Sequence, residues 1–220
     1  MLGLGIGDDE HEFGQMCLGF PELSSRQEAL EETLAIVEAL WTGEQVPYEG
    51  KHFRVREASM RQLPVQQPFV PVLIGGGGER VTLRQVARLA DVSNFAPHEW
   101  SGSAFQVADV KRKYDILQQH CEEVGRPYES ILRSHFTPLV TLAEDEAALQ
   151  PKREAAPTPD PLLRQEILFA TPGQAIRHYQ ALADAGAQYF LASVNAEDEE
   201  TVRLLAEEVA PAVHLPRAAE

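Results

Sequence analysis

Short apolar runs alternate with amphipathic stretches along almost the whole chain, and this alternation restricts it to few folds. Leu2, Leu4 and Ile6 interleave with Gly3, Gly5 and Gly7, the period of a strand with one face stripped of side chains. Val70–Ile74 reads as a short buried strand, Asp91–Ala96 as an extended segment, residues 131–142 as a longer strand and Tyr189–Ser193 as the last. Helical spacing fills the gaps. Leu30, Leu34, Val37 and Trp41 follow a Ser25-x-x-Glu28 capping box and predict a helix over 25–42, closed by Gly43. A second helix is expected from near Glu79, with Leu83, Val86, Ala87 and Ala90 on one face. Val107, Val110, Tyr114, Leu117, Cys121 and Val124 predict a third over 104–124, ended by Gly125 and Pro127. Thr171-Pro172-Gly173-Gln174 opens a fourth that runs to Ala185, and a fifth spans 198–209 before Pro211.

Two segments stand outside this rhythm. Residues 46–55 read as a hairpin about Glu49-Gly50. Residues 143–165 are acidic and then rich in Ala and Pro; Pro157, Pro159 and Pro161 limit helix to a short piece, so a surface insertion is expected. Residues 8–23 read as polar and irregular. The remainder alternates strand and helix five times, which argues for an α/β fold with a parallel sheet and helical crossovers. A flavodoxin-like doubly wound domain of order 2-1-3-4-5 is the competing arrangement, and strand order distinguishes it from a barrel arc.

The strongest local signal for chemistry is Gly75-Gly76-Gly77-Gly78, followed by Glu79 and Arg80, directly after an apolar strand. Without Cβ atoms a ligand can approach the backbone. Successive N–H groups and the start of a helix suit an anion, so a phosphate is the natural guest, with Arg80 able to add charge. A turn that binds nothing is the plain alternative. Gly3-Leu4-Gly5-Ile6-Gly7 is not followed by the helix of a dinucleotide fingerprint; its glycines leave room for a ligand ring or serve packing. Asp8, Asp9, Glu10, His11 and Glu12 read as a solvated acidic loop, and no His or Cys recurs at metal-ligand spacing. His98 and Trp100, after Asn94, could line a pocket or lie on a surface loop. There is no G-x-S-x-G elbow, Walker A lysine or H-E-x-x-H, so hydrolase, P-loop and zincin readings have no support.

Composition narrows the partners. Nineteen Lys and Arg against 34 Asp and Glu give a net charge of −15, which disfavours nucleic acid. Cys17 and Cys121 are far apart and form no C-x-x-C, which fits a reducing compartment. No run of 18 apolar residues exists, and Met1–Glu10 lacks the basic start of a signal peptide, so a cytoplasmic protein without a membrane span is expected.

Several segments together resemble the bacterial luciferase-like superfamily of flavin- and deazaflavin-dependent oxidoreductases. They are LGLGIG at 2–7 with His11-Glu12-Phe13, residues 28–55, residues 64–91 with the glycine run, HCEEVGRPYESI at 120–131, and residues 170–194 with the closing LLAEEVAP. The segment around Cys121 and VGRPY is most similar to the coenzyme F420-dependent branch. The resemblance implies a (β/α)8 TIM barrel, represented here by about five C-terminal β/α units in one domain over 1–220. Three units would precede Leu2 in the family, and these supply ring- and substrate-facing groups, so no catalytic residue is carried over. The resemblance implies coenzyme F420, or alternatively FMN, with its phosphate at Gly75–Gly78. It also implies hydride transfer to or from a small-molecule substrate, or monooxygenation with FMN and oxygen, and a homodimer. An incomplete fragment or partner subunit that keeps only the phosphate site is the competing function. Asp91-Val92-Ser93-Asn94-Phe95 departs from the family's usual stretch, although Asn94 is retained, and Asp8 stands where an aromatic residue is usual.

Overall fold

The computed structural model describes residues 1–66, 69–98, 104–156 and 166–216. Its elements are β1 (Leu2–Leu4), α1 (Glu10–Gln15), α2 (Leu23–Trp41), β2 (Val46–Glu49), β3 (Arg54–Ala58), β4 (Val72–Gly75), α3 (Thr82–Leu89), β5 (Val92–Phe95), α4 (Val107–Val124), β6 (Leu132–Leu142), α5 (Glu146–Glu154), β7 (Ile167–Ala170), α6 (Pro172–Asp184), β8 (Tyr189–Val194) and α7 (Glu199–Leu204). Helical backbone continues beyond α7 as a π turn over Leu205–Val209 and a short piece to Ala212.

The main sheet is parallel throughout. β1, β4, β5, β6 and β8 are neighbours in chain order, and β7 also pairs with β6. Strands laid down in sequence with helical crossovers build a barrel wall, not a doubly wound sheet whose order reverses at a switch point. The sequence reading places five strands in the sheet; β7 is a sixth. Val140 pairs with Val194 of β8 and with Leu168 of β7, so β7 lies on the β5 side of β6, beyond the end of β5. Pro138 of β6 falls between the β5 pairing (Leu132–His135) and the β7 pairing (from Leu139), and the β8 register slips there too. A residue without an N–H is tolerated in an inner strand where the ladder changes partner.

Alternation separates the faces of the sheet. Val72, Ile74 and Phe95 point into the helix layer, where Phe95 stacks against Tyr114 of α4 at 5.0 Å. Thr137 of β6 meets the Tyr179 hydroxyl of α6 at 3.3 Å. Val86, Ala87, Val110 and Leu117, on the helical faces read from the sequence, and Leu182 of α6 complete this core at no more than 2% exposure. Gly75, Asn94 and Ser134 share the opposite, inner face.

Several helix boundaries differ from the sequence reading. α2 begins at Leu23, with Glu22 before it and no side-chain cap, so Ser25 lies inside the first turn. Residues 10–15 are helical, not irregular, because the Asp9 carboxylate accepts from the N–H groups of His11 and Glu12. α3 starts at Thr82, three residues later than expected. Thr171 and Gln174 do form the expected capping box, and Gly125 ends α4 in the left-handed region at φ 71°. The hairpin forms as β2–β3. Within the expected insertion, α5 buries Leu149 fully, while Pro157, Pro159 and Pro161 lie outside the described residues. No helix among the described residues is long and apolar enough to cross a membrane.

Candidate functional site

The glycine run leaves the C-terminal end of β4 and forms one wall of a cleft on the inner face of the sheet. Gly75–Gly78 line it together with Gly5 and Gly7 beyond β1, Asn94 of β5, Phe136 of β6 and Thr82 at the start of α3. The cleft encloses about 390 Å³, within the range of small-molecule sites.

Two glycines here are required by geometry. Gly76 has φ 128°, and a Cβ on it would stand 3.1 Å from Thr82 Cγ2; a Cβ on Gly78 would stand 2.8 Å from Thr82 Oγ1. By contrast, a Cβ on Gly3 or Gly5 would make only ordinary contacts, at 3.8 and 3.9 Å. Packing within the described chain therefore does not demand the bare face of β1, and the space beside it stays open.

The loop's carbonyls are tied down from outside the cleft. Lys113 Nζ donates to the Gly77 carbonyl at 2.7 Å, and the Leu83 N–H donates to the Gly78 carbonyl at 2.9 Å. His120 Nε2 lies 2.8 Å from the Glu79 carbonyl. The Gly76 N–H donates to the Asn94 carbonyl at 2.8 Å, which fixes the loop's entry to β5. Burial pushes the Lys113 ammonium below its ordinary pKa, an effect opposed by the Glu79 carboxylate 3.5 Å away.

Of the residues singled out in the sequence, Gly5, Ile6, Gly7, Asp8, Gly75–Gly78 and Asn94 line the cleft. Glu79 does not. Its carboxylate turns to α4, 3.1 Å from Arg112 and 3.5 Å from Lys113. Arg80 is exposed and lies off the cleft wall. Ser134 Oγ reaches both the Asn94 side chain and the Ser93 carbonyl at 2.8 Å, which fixes Asn94 at the cleft floor. Asp8–Glu12 and His98 come together with Phe20 in a neighbouring depression, and His98 also lies 3.8 Å from Glu166. Trp100 is outside the described residues. Among the described residues no group of three or more His, Cys, Asp or Glu is arranged to hold a metal. Sequence reasoning missed Thr82, Phe136 and Lys113. For Lys113 a signal existed: a lysine on the Val110–Tyr114–Leu117 face of a helix is a charge on its buried side.

A parallel barrel-wall sheet with a glycine cradle at its C-terminal strand ends is the architecture of (β/α)8 enzymes that hold ligands at that face. The chain belongs to the luciferase-like monooxygenase family, whose model matches residues 1–209. It is 25% identical over 223 residues to an F420-dependent glucose-6-phosphate dehydrogenase of Rhodococcus erythropolis; the match covers 90% of this chain and 64% of that protein. Among solved structures it resembles the coenzyme F420-dependent tetrahydromethanopterin reductase of Methanopyrus kandleri, with a TM-score of 0.76 at 18% identity. That likeness covers 97% of this chain and 74% of the reductase. The EDTA monooxygenase of Chelativorans sp. BNC1 gives a TM-score of 0.70 at 17% identity, over 93% and 63% of the two chains. The chain thus has the luciferase-like TIM-barrel fold and covers part of it.

Proposed function

We propose that the chain serves an oxidoreductase of the luciferase-like class that moves a hydride between coenzyme F420 and a small organic substrate. FMN, with oxygen-dependent monooxygenation, is the alternative cofactor chemistry. The observation that carries this reading is the cradle: four glycines at the end of β4, two of them, Gly76 and Gly78, in places a Cβ would fill, with the Gly77 and Gly78 carbonyls engaged elsewhere. Such a loop suits a phosphate held by backbone N–H groups. The bare inner face at Gly3 and Gly5 leaves space for a planar ring, with Asn94 and Phe136 on the floor beside it. When bound, the cofactor's ring supplies the hydride chemistry, and the protein supplies binding and orientation. The lean to F420 rests on the F420-dependent relatives.

Titration of the purified chain with F420 and with FMN, followed by cofactor fluorescence, tests the reading. Saturable binding of one of them at micromolar concentration is expected; a folded sample that binds neither at tens of micromolar refutes it.

A second reading is a binding or partner subunit that retains the phosphate site and requires association. It is favoured by the sheet's two edges: among the described residues β1 pairs only with β4 and β8 only with β6. Light scattering after size exclusion separates the two, since a stable monomer that binds cofactor contradicts the second.

A further inference from the structure

We propose that Lys113 is the positioning residue of the glycine cradle, the group that turns the Gly78 N–H toward the ligand. This rests on the reading of the cradle as the cofactor's phosphate site. In a trans peptide the C=O and the N–H point in opposite directions. The Gly77 carbonyl is drawn 2.7 Å from Lys113 Nζ on the α4 side of the loop. The N–H of the same peptide belongs to Gly78, which lines the cleft, and it is therefore directed away from α4.

A glycine run has no side chains to choose among its peptide orientations, so an outside contact must do so. Lys113 is suited to this task because it is only 2% exposed, and its ammonium cannot exchange the carbonyl for bulk water. Its remaining partner is Glu79, at 3.5 Å. Glu79 is itself held by Arg112 at 3.1 Å, so the ammonium is fixed from two sides. Removing Lys113 leaves the Gly77 carbonyl unpaired and allows the peptide to flip, which withdraws the Gly78 donor.

The test is a ratio, because a general structural defect weakens all ligands alike. Riboflavin and FMN differ by the phosphate. Wild type is expected to prefer FMN, and Lys113→Met to lose that preference by about tenfold or more while binding riboflavin as before. Lys113→Arg, which keeps a charged donor at that reach, is expected to restore the preference to within about threefold. If the Met variant does not fold, Lys113→Gln, whose amide falls short of Gly77, is read in the same way. An unchanged FMN-to-riboflavin ratio in a folded Met or Gln variant overturns the inference. If wild type takes up no flavin, inorganic phosphate decides the role of Lys113, and if it takes up no F420 either, the cofactor reading fails. The Gly78 amide resonance is then expected to move on phosphate titration in wild type but not in the variant. No movement in wild type, or equal movement in both, overturns the inference.

Discussion

The Thr82 hydroxyl oxygen stands 2.8 Å from where a Cβ on Gly78 would lie, closer than such atoms come in folded proteins. Gly78→Ala is therefore expected to push α3 from the loop, destabilising the chain by about 1–2 kcal/mol and weakening FMN or F420 binding. Gly78→Ala combined with Thr82→Ala relieves the contact and should recover most of the lost stability, an interaction that a double-mutant cycle reads from urea midpoints. Additive effects of the two changes would show that the contact does not matter.

Gly76 poses a different demand. Its φ of 128° is strained for any residue with a Cβ, so Gly76→Ala should cost about 1–3 kcal/mol. Removing the Thr82 side chain should not rescue it, because the strain is in the backbone. Thermal unfolding of the single and double variants checks this.

His135 makes stability depend on pH. It is 2% exposed, stands 6.2 Å from the Phe95 ring, and neither ring nitrogen has a partner among the described residues. Burial, helped by nearby His178, holds its pKa down at about 4. The unfolded imidazole titrates near 6.5. The unfolded chain thus takes up this proton first, and stability is expected to fall as pH drops from about 6.5 towards 4. His178, also lowered by burial, acts in the same direction. Melting temperatures at pH 7.5 and 5.5 should converge in His135→Leu; a pH slope equal to wild type would remove His135 as its source.

The Glu32 carboxylate of α2 holds the β2–β3 hairpin by accepting from the backbone N–H groups of Lys51, His52 and Phe53, at 2.7, 3.0 and 2.9 Å. Desolvation raises its pKa, but these donors outweigh it and the net shift is downward. Glu32→Ala should free the turn and speed tryptic cleavage after Lys51 and Arg54 several-fold. Unaltered digestion rates would mean that the hairpin is held by other contacts.

Thr201 joins α7 to the end of β6. Its hydroxyl oxygen accepts from the Leu142 N–H at 2.7 Å and lies 2.7 Å from Asp198 Oδ2, with the residue fully buried. Thr201→Val keeps the shape but leaves Leu142 unpaired, and should cost about 1–3 kcal/mol. Thr201→Ser, which retains the oxygen, should cost clearly less in the same denaturant titration.

What the sequence disclosed was local. The glycine run was legible because lacking a Cβ is a property of those residues alone. The Thr171 cap and the Gly125 stop were legible because each is completed within a few residues. The short helix after Asp9 was hidden by an acidic cluster with no apolar period, and β7 by its four residues beyond a proline-rich passage. Glu79 finds its ion-pair partners, Arg112 and Lys113, on a distant helix. The same applies inside the site: Lys113 and His120 meet the loop from 36 and 41 positions away. Nothing in the four glycines announces which donors will hold them.

β6 serves two neighbours on one edge, β5 along its first part and β7 along its last, while β8 follows the other edge. Pro138 sits where the service changes hands. The main sheet is thus two hydrogen-bonded sectors sharing a single strand, as two pages share a spine. Amides of β7 can open to solvent without disturbing those of β5, whereas opening β6 exposes both at once. Hydrogen exchange should accordingly find β6 on the slowest, global timescale, with β5 and β7 free to report different local openings.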